Sequence, residues 1–136
     1  MVSFVVATHG KLAEGFESAL TLIIGKPEKI SFLGLYEGNS VDEFGQKIVT
    51  EVNRLDEGDG VIIFTDLFGA SPFNQAVSKL GQTKAHKCKI LTGVNLPMLI
   101  EAINSRMMGK NIDQITAESL DASRVGIKDL ASAMNN

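Results

Sequence analysis

His9 is the side chain in this sequence best placed to act as a nucleophile. It follows an apolar, β-branched run at residues 4–7 and precedes Gly10, so it stands where a buried strand is predicted to stop. Histidine side chains of ordinary pKa, about 6.5, are largely neutral near pH 7 and therefore nucleophilic. Since α/β proteins place their chemistry at the carboxyl ends of strands, and Gly10 leaves room beside the ring, we expect His9 to carry a group covalently.

A carboxylate follows a second predicted strand. Asp66 lies just beyond the buried run Val61–Phe64. A carboxylate that accepts a hydrogen bond from one imidazole N–H fixes the tautomer, so that the other ring nitrogen presents its lone pair. We therefore expect Asp66 to orient His9 and to stabilise the positive ring that forms. The alternative is that Asp66 caps a turn or a helix.

The segment Gly69-Ala70-Ser71-Pro72 indicates that the carried group is a phosphoryl group. A serine followed by a proline predicts a helix start, with Ser71 as the N-cap and Pro72 at the first helical position. Small residues ahead of a helix leave backbone N–H groups open, and the helix dipole adds positive potential there. This segment is thus predicted to bind the phosphate that His9 carries.

No metal site and no cofactor are predicted. The two histidines, His9 and His86, have no metal-type spacing to each other or to a pair of carboxylates. His86 stands among lysines and is interpreted as a solvated surface residue. The single cysteine, Cys88, can form no internal disulfide and is assigned to strand packing.

The elements that must position these residues alternate between strand and helix. Short apolar runs predict the strands, and apolar residues at helical spacing, closed by glycine or proline, predict the helices. Such alternation is typical of βαβ units and a largely parallel sheet, and so of an α/β fold. The predicted strands are 2–7, 29–36, 61–64 and 87–92, and the predicted helices are 11–24, 41–55, 71–80, 97–107 and 112–120.

Three polar residues each follow a strand of that predicted sheet. His9, Asp66 and Asn95 lie just beyond predicted strand ends. Because the loops after parallel strands meet at one edge of the sheet, we expect these side chains to converge there.

Composition is that of an ordinary globular protein of one domain, residues 1–136. The chain is 44% hydrophobic and 21% charged, with a formal net charge of −3. That charge argues against non-specific nucleic-acid binding, and no cluster of lysine or arginine suggests a track for a phosphate backbone. We recognise no signal peptide and no apolar run near the roughly 20 residues of a membrane helix, so we expect a cytoplasmic soluble domain.

Three motifs together resemble the enzyme IIA component of the mannose-type (mannose/fructose/sorbose) phosphoenolpyruvate-dependent sugar phosphotransferase system. The likeness runs over essentially the whole chain, in order and at matching spacing. The motifs are Thr8-His9-Gly10, Asp66 with Gly69, Ser71, Pro72, Phe73 and Asn74, and Gly93-Val94-Asn95-Leu96-Pro97-Met98-Leu99.

The resemblance implies a three-layer αβα domain with four parallel strands, assembled as a homodimer. In this family a short antiparallel C-terminal strand is exchanged between subunits. The segment 125–131, whose own pattern fits either helix or strand, would supply it. The resemblance also implies that His9 is the phosphorylated residue, Asp66 its hydrogen-bond partner and Ser71 a neighbour of the phosphoryl group.

The implied activity is a phosphotransfer relay through a phosphohistidine. The domain would take phosphate from the carrier protein HPr on His9 and pass it to a histidine of a sugar-specific IIB partner. A membrane IIC/IID pair would couple the last transfer to sugar uptake, and nothing in a relay domain specifies the sugar. Phe68 and Asn95 are expected on the partner surface.

Three positions depart from the family's pattern. Leu67-Phe68 stands where members often carry threonine and tryptophan, and Ala70 replaces a glycine. Phe68 keeps an aromatic ring at the mouth of the site, whereas Leu67 removes a hydroxyl that could contact phosphate. The chain also ends at Asn136 without the linker and IIB domain of some members, which favours a stand-alone IIA domain.

Other functions stay open. A related phosphocarrier domain serves dihydroxyacetone kinase. Members of that group carry a His-Ser pair where this chain has His9-Gly10, so the resemblance to them is weaker. A hydrolase using Ser71, His9 and Asp66 would place its serine in a Gly-x-Ser-x-Gly elbow, not at a Ser-Pro helix start. A receiver phosphorylated on Asp66 would need paired carboxylates after the first strand. A purely regulatory or binding module of the same fold is the remaining alternative, if the partner components are absent.

Overall fold

A computed structural model describes residues 1–135 as alternating strands and helices. The predicted strands and helices up to residue 120 are present, with bounds close to those predicted. No helix in this part of the chain is long and apolar enough to cross a membrane. The strands are β1 (Ser3–His9), β2 (Ile30–Leu35), β3 (Val61–Thr65) and β4 (Cys88–Leu91); the helices are α1 (Leu12–Ile24), α2 (Val41–Leu55), α3 (Ser71–Ser78), α4 (Leu96–Met107), α5 (Ile112–Val125) and α6 (Leu130–Met134), with a short 3-10 helix at Leu80–Gln82.

The four strands form one parallel sheet in the order β2-β1-β3-β4. Ala7 of β1 is paired with Leu33 of β2 on one side and with Thr65 of β3 on the other. The strands therefore end at the same edge of the sheet, where His9 closes β1. The α/β fold and the four parallel strands predicted from the sequence are confirmed.

Helices cover both faces of the sheet. Phe4 and Val6 of β1 face a core formed with α1, α4 and α5. Val5 and Ala7 face a second core formed with α2 and α3. All four side chains are fully buried, as expected for a strand covered on both sides. The three-layer αβα arrangement is thus confirmed, and the strand that carries His9 lies at its centre.

The C-terminal segment differs from the expected short strand. Val125 is the last residue of α5, and the loop that follows leads into the helix Leu130–Met134. Asp129 favours this helix, because its side chain accepts a hydrogen bond from the N–H of Ser132 at 3.3 Å, as an N-cap does. The strand predicted for 125–131 is therefore absent from this single chain, and its exchange in a homodimer stays a prediction.

A buried arginine connects the strands at the edge of the sheet opposite to His9. Arg106 of α4 donates hydrogen bonds to the carbonyl oxygens of Val2, at 3.0 Å, and of Lys29, at 3.2 Å. It also donates to the carbonyl oxygen of Glu28, and its guanidinium carbon lies 4.4 Å from the centre of the Phe4 ring. This side chain therefore fixes the starts of β1 and β2 relative to α4.

Arg106→Met should destabilise the protein while keeping most of the length of the side chain. The change removes the donors and leaves the carbonyl oxygens of Val2 and Glu28 unpaired, while that of Lys29 keeps the N–H of Phe4. The expected cost is about 3 kcal/mol in free energy of unfolding, measured by urea denaturation. Arg124→Met, at an exposed position of α5, is the matched control and should change that free energy by less than about 0.5 kcal/mol. Equal values for the two variants would show that the Arg106 contacts add no net stability.

Candidate functional site

His9 and Asp66 are in direct contact. His9 ends β1, and Asp66 follows the last residue of the neighbouring strand β3. The Nδ1 atom of His9 lies 2.8 Å from Oδ2 of Asp66, and the backbone N–H of His9 donates to the same oxygen at 3.0 Å. The structure thus brings together the residues that the sequence predicted as nucleophile and orienting carboxylate.

This contact decides which ring nitrogen is available. An ionised carboxylate only accepts hydrogen bonds, so Nδ1 of His9 carries the proton and donates it to Asp66. Nε2 then holds the free lone pair, and it has no hydrogen-bond partner within residues 1–135. The side chain of His9 is 45% exposed, whereas that of Asp66 is 10% exposed. A largely buried carboxylate therefore holds a partly exposed imidazole ring.

The surroundings of Asp66 keep it ionised. Burial by itself raises the pKa of its carboxyl group, but the hydrogen bonds from the backbone and ring of His9 outweigh burial. The pKa of Asp66 consequently lies below its ordinary value of 3.8. The N–H of Leu67 donates to the other carboxylate oxygen at 3.1 Å. Near neutral pH, Asp66 is therefore a full negative charge beside the imidazole.

Thr8 fixes the loop that leads from His9 into α1. The side chain is fully buried, and its oxygen accepts a hydrogen bond from the N–H of Ala13 at 2.8 Å. Its hydroxyl donates to the carbonyl oxygen of His9 at 3.3 Å. The sequence prediction missed this role, although a threonine shortly before a helix commonly bonds the backbone in this way.

The segment predicted to bind phosphate lies shortly after Asp66, at the start of α3. Ala70 is the N-cap, Ser71 is already helical, and Pro72 occupies the second helical position. The prediction of Ser71 as N-cap is therefore wrong, because the chain enters the helix one residue earlier. Ala70 has no side-chain oxygen, so no side-chain capping bond forms.

Backbone amides at this helix start are open to a ligand. Within residues 1–135, the N–H groups of Gly69, Ser71 and Phe73 have no hydrogen-bond acceptor. The N–H of Ala70 instead donates to the carbonyl oxygen of Leu67 at 3.3 Å. Of the residues predicted to bind phosphate, Gly69 and Ser71 thus keep open donors, whereas the Ala70 amide is already engaged.

Two contacts hold the loop between β3 and α3 in shape. The side-chain amide of Asn74 donates to the carbonyl oxygen of Gly69 at 2.8 Å, a contact that the sequence did not predict. The rings of Phe68 and Phe73 pack together with centroids 4.8 Å apart. Phe68 is nevertheless 79% exposed, and its neighbour Leu67 is 61% exposed. Both apolar side chains therefore remain accessible next to the site.

Asn95 lies at the same edge of the sheet but is engaged within the chain. Its side-chain oxygen accepts a hydrogen bond from the N–H of Met98 at 2.9 Å, capping α4, and its amide donates to the carbonyl oxygen of Ser123 at 3.1 Å. The adjoining Val94 donates its N–H to the carbonyl oxygen of Thr65 at 3.1 Å, which ties this loop to the end of β3. A contact of Asn95 with a partner stays a prediction.

Three clefts of about 350 Å³ lie away from these residues. Two are at the opposite edge of the sheet, where Met1 and Arg106 are among the lining residues, and the third lies between α1 and α2 beside Tyr36. None of the three is lined by His9 or Asp66. Across residues 1–135, no group of three or more His, Cys, Asp or Glu side chains could hold a metal ion. The candidate site is thus an exposed surface.

Comparison with known proteins points to one family. The family model EIIA-man, described as "PTS system fructose IIA component", matches residues 3–120. The "PTS system mannose-specific EIIAB component" of Escherichia coli strain K12 is 30% identical over 129 residues, which are 95% of this chain but only 39% of that relative. The "PTS system fructose-specific EIIA component" of Bacillus subtilis strain 168 is 24% identical over 106 residues, 78% of this chain and 71% of that relative.

Solved structures show the same fold. The phosphotransferase system component EIIA from Streptococcus agalactiae has a TM-score of 0.88 and 30% identity, covering 97% of this chain and 99% of that one. The PTS IIA protein associated with the fucose utilization operon from Streptococcus pneumoniae has a TM-score of 0.83 and 28% identity, covering 98% of this chain and 96% of that one. Because the family model covers most of the sequence and the fold agrees throughout, this chain belongs to the mannose-type enzyme IIA family of phosphotransferase systems.

Proposed function

We propose that this chain is a cytoplasmic phosphocarrier that accepts phosphate from phospho-HPr on His9 and passes it to a sugar-specific IIB protein. The observation that carries the proposal is the contact between Nδ1 of His9 and Asp66, which leaves the lone pair of Nε2 free on a partly exposed side chain. Family membership supports a role in a phosphotransferase system, and the relatives named for mannose and fructose support a sugar system.

The transfer is a displacement at phosphorus, in which one N–P bond forms as another breaks. The Nε2 lone pair of His9 forms a new N–P bond while the N–P bond of the donor phosphohistidine breaks and its electron pair returns to the donor ring. His9 then carries phosphate on Nε2 and a proton on Nδ1, so its ring is positively charged. The carboxylate of Asp66, 2.8 Å away, stabilises that charge without taking the proton.

Backbone donors at the start of α3 are the groups we expect to bind the phosphoryl oxygens. The open N–H groups of Gly69 and Ser71 lie at the positive end of the helix dipole. The hydroxyl of Ser71 adds a third donor. Such donors stabilise the charge on the transferring group without a metal ion.

The surface around the site suits a protein as phosphate donor and acceptor. Leu67 and Phe68 present exposed apolar area directly after Asp66, and residues 67–78 contain no charged side chain. Exposed apolar patches of this kind mark protein contacts. We therefore place the docking surface for HPr and for the IIB protein here, with a membrane IIC/IID pair completing sugar uptake.

A homodimer is part of the proposal. The C-terminal segment leaves four apolar side chains uncovered in the single chain, and a second subunit would cover them. They are Val125, Ile127, Leu130 and Met134, between 56% and 76% exposed.

The structure offers no support for a hydrolase. A serine nucleophile would need its hydroxyl hydrogen-bonded to Nε2 of His9, and no such bond exists within residues 1–135. A carrier serving dihydroxyacetone kinase would share the step on His9 and differ only in its acceptor, so the identity of the acceptor separates it from the proposal.

Phosphorylation of His9 should be directly measurable. Incubation with radiolabelled phosphoenolpyruvate, enzyme I and HPr should give a label that is acid-labile and base-stable, as nitrogen-linked phosphate is, and that chases onto a IIB protein. His9→Ala should abolish the label, whereas His86→Ala, at an exposed position before β4, should retain it. A label that survives His9→Ala, or that is stable in acid, would contradict the proposal.

Asp66→Ala should slow the transfer without preventing folding. Loss of the carboxylate leaves the Nδ1 proton unpaired and the phosphorylated ring without its counter-charge, which costs about 1–3 kcal/mol, or roughly 5- to 150-fold in rate. Rapid-quench measurement of transfer from phospho-HPr gives the rate. Asp121→Ala, an exposed aspartate on α5, is the control. Equal rates for both variants would show that Asp66 is only structural.

The same pair should make stability depend on pH. The pKa of Asp66 is lower in the folded protein than in the unfolded chain, so its contribution is fully present above about pH 5 and is lost as the pH falls through the folded pKa. The wild type should therefore lose its stability advantage over Asp66→Asn as the pH falls from about 5 through the lowered pKa of Asp66, as measured by urea unfolding. Asp121→Asn should follow the wild-type profile. A pH-independent difference for Asp66→Asn would be the contrary result.

A further inference from the structure

We infer that Gly34 is a positioning residue for His9, because its missing side chain makes room for the corner that holds the imidazole against Asp66. Gly34 lies in β2 directly opposite Thr8, and the next pair in the register is Leu35 with His9. Gly34 is thus on the strand that flanks His9 on the side away from β3. A role of Gly34 in phosphate transfer rests on the proposed function, whereas its effect on the orientation of the His9 ring does not.

Space, and not backbone conformation, requires glycine at position 34. A Cβ added to Gly34 would lie 2.3 Å from the carbonyl oxygen of Gly10, a backbone atom that cannot rotate away. Two ring atoms of Tyr36 would lie 3.1 Å from the same Cβ. Gly34 is not among the residues with positive φ, so its backbone would accept other amino acids. A glycine inside a strand weakens it, and close approach of another backbone is a recognised reason to find one there.

Gly10 forms the corner that needs this space. Its φ is +52°, in the left-handed region, and its N–H donates to the carbonyl oxygen of Leu35 at 2.7 Å. No atom lies within 4 Å of the position that a Cβ of Gly10 would take. Glycine is therefore required at position 10 by the left-handed backbone conformation, and at position 34 by the lack of space for a side chain. Together they turn the chain sharply at the end of β1.

A side chain at position 34 would displace the corner next to His9. To reach a distance that Cβ atoms tolerate, the carbonyl oxygen of Gly10 would have to move by at least about 0.7 Å. His9 adjoins Gly10, and it holds Asp66 through two hydrogen bonds, of 3.0 Å from its backbone and 2.8 Å from its ring. Misplacement of a reacting group by about 1 Å can cost 10²-fold in rate. Gly34 thus acts through the backbone on the orientation of the ring.

Gly34→Ala tests this role, with Gly15→Ala as the matched control. A Cβ on Gly15, in α1, meets no atom within 4 Å. Gly34→Ala should slow transfer from saturating phospho-HPr at least tenfold. It should also shift the nitrogen-15 NMR resonances of the His9 ring away from those of a single Nδ1–H tautomer. Gly15→Ala should match the wild type in both measurements, and circular dichroism reports whether each variant is folded.

Ring resonances that are unchanged in a folded Gly34→Ala variant would overturn the inference, whatever the rate. If Gly34→Ala does not fold, the ring resonances of a Gly10→Val variant provide the test. A β-branched residue disfavours positive φ, so this change moves the same corner without adding an atom to β2. A folded Gly10→Val with wild-type ring resonances would again overturn it. Since the NMR measurement uses unphosphorylated protein, a wild type that accepts no phosphate would refute the proposed function and leave this test intact.

Discussion

The hydrogen bond between His9 and Asp66 depends on the pairing of two buried parallel strands. Ala7 of β1 and Thr65 of β3 are partners in the register, so the residues that follow each strand emerge side by side. A slip of one residue would turn every apolar side chain of β1 to the wrong face, and both faces are buried. The hydrophobic core therefore fixes the distance between imidazole and carboxylate, and the loops only refine it.

Much of this arrangement is predictable from the sequence because it follows from burial. Uninterrupted apolar runs predicted the parallel strands, and the position of His9 and Asp66 just beyond two of them predicted that they meet. The predicted start of α3 was wrong by one residue. Proline is tolerated at either of the first two helical positions, so the pair Ser71-Pro72 alone does not set the boundary. That one-residue difference also decides that the cap is Ala70.

Other features could not be predicted because they depend on which parts of the chain approach each other. From the sequence, Gly34 is only a residue that weakens a strand. The structure gives its reason, because the carbonyl oxygen of Gly10 occupies the space that a side chain would need. Thr8 belongs to a buried strand by pattern, yet it holds the loop after His9. The segment 125–131 is an extreme case. Its apolar side chains have nothing to cover them in one chain, so local capping by Asp129 decides its structure here.

On the proposed function, one carboxylate has to serve both directions of a relay. When His9 accepts phosphate, the negative charge of Asp66 stabilises the ring as it becomes positive, and the proton stays on Nδ1. When His9 gives the phosphate up, the same protonated ring is a good leaving group, because the electron pair returns to a ring that needs no further proton. A second charged group aimed at the phosphate would favour the loaded state and slow its release. An exposed ring beside uncharged residues 67–78 avoids that imbalance.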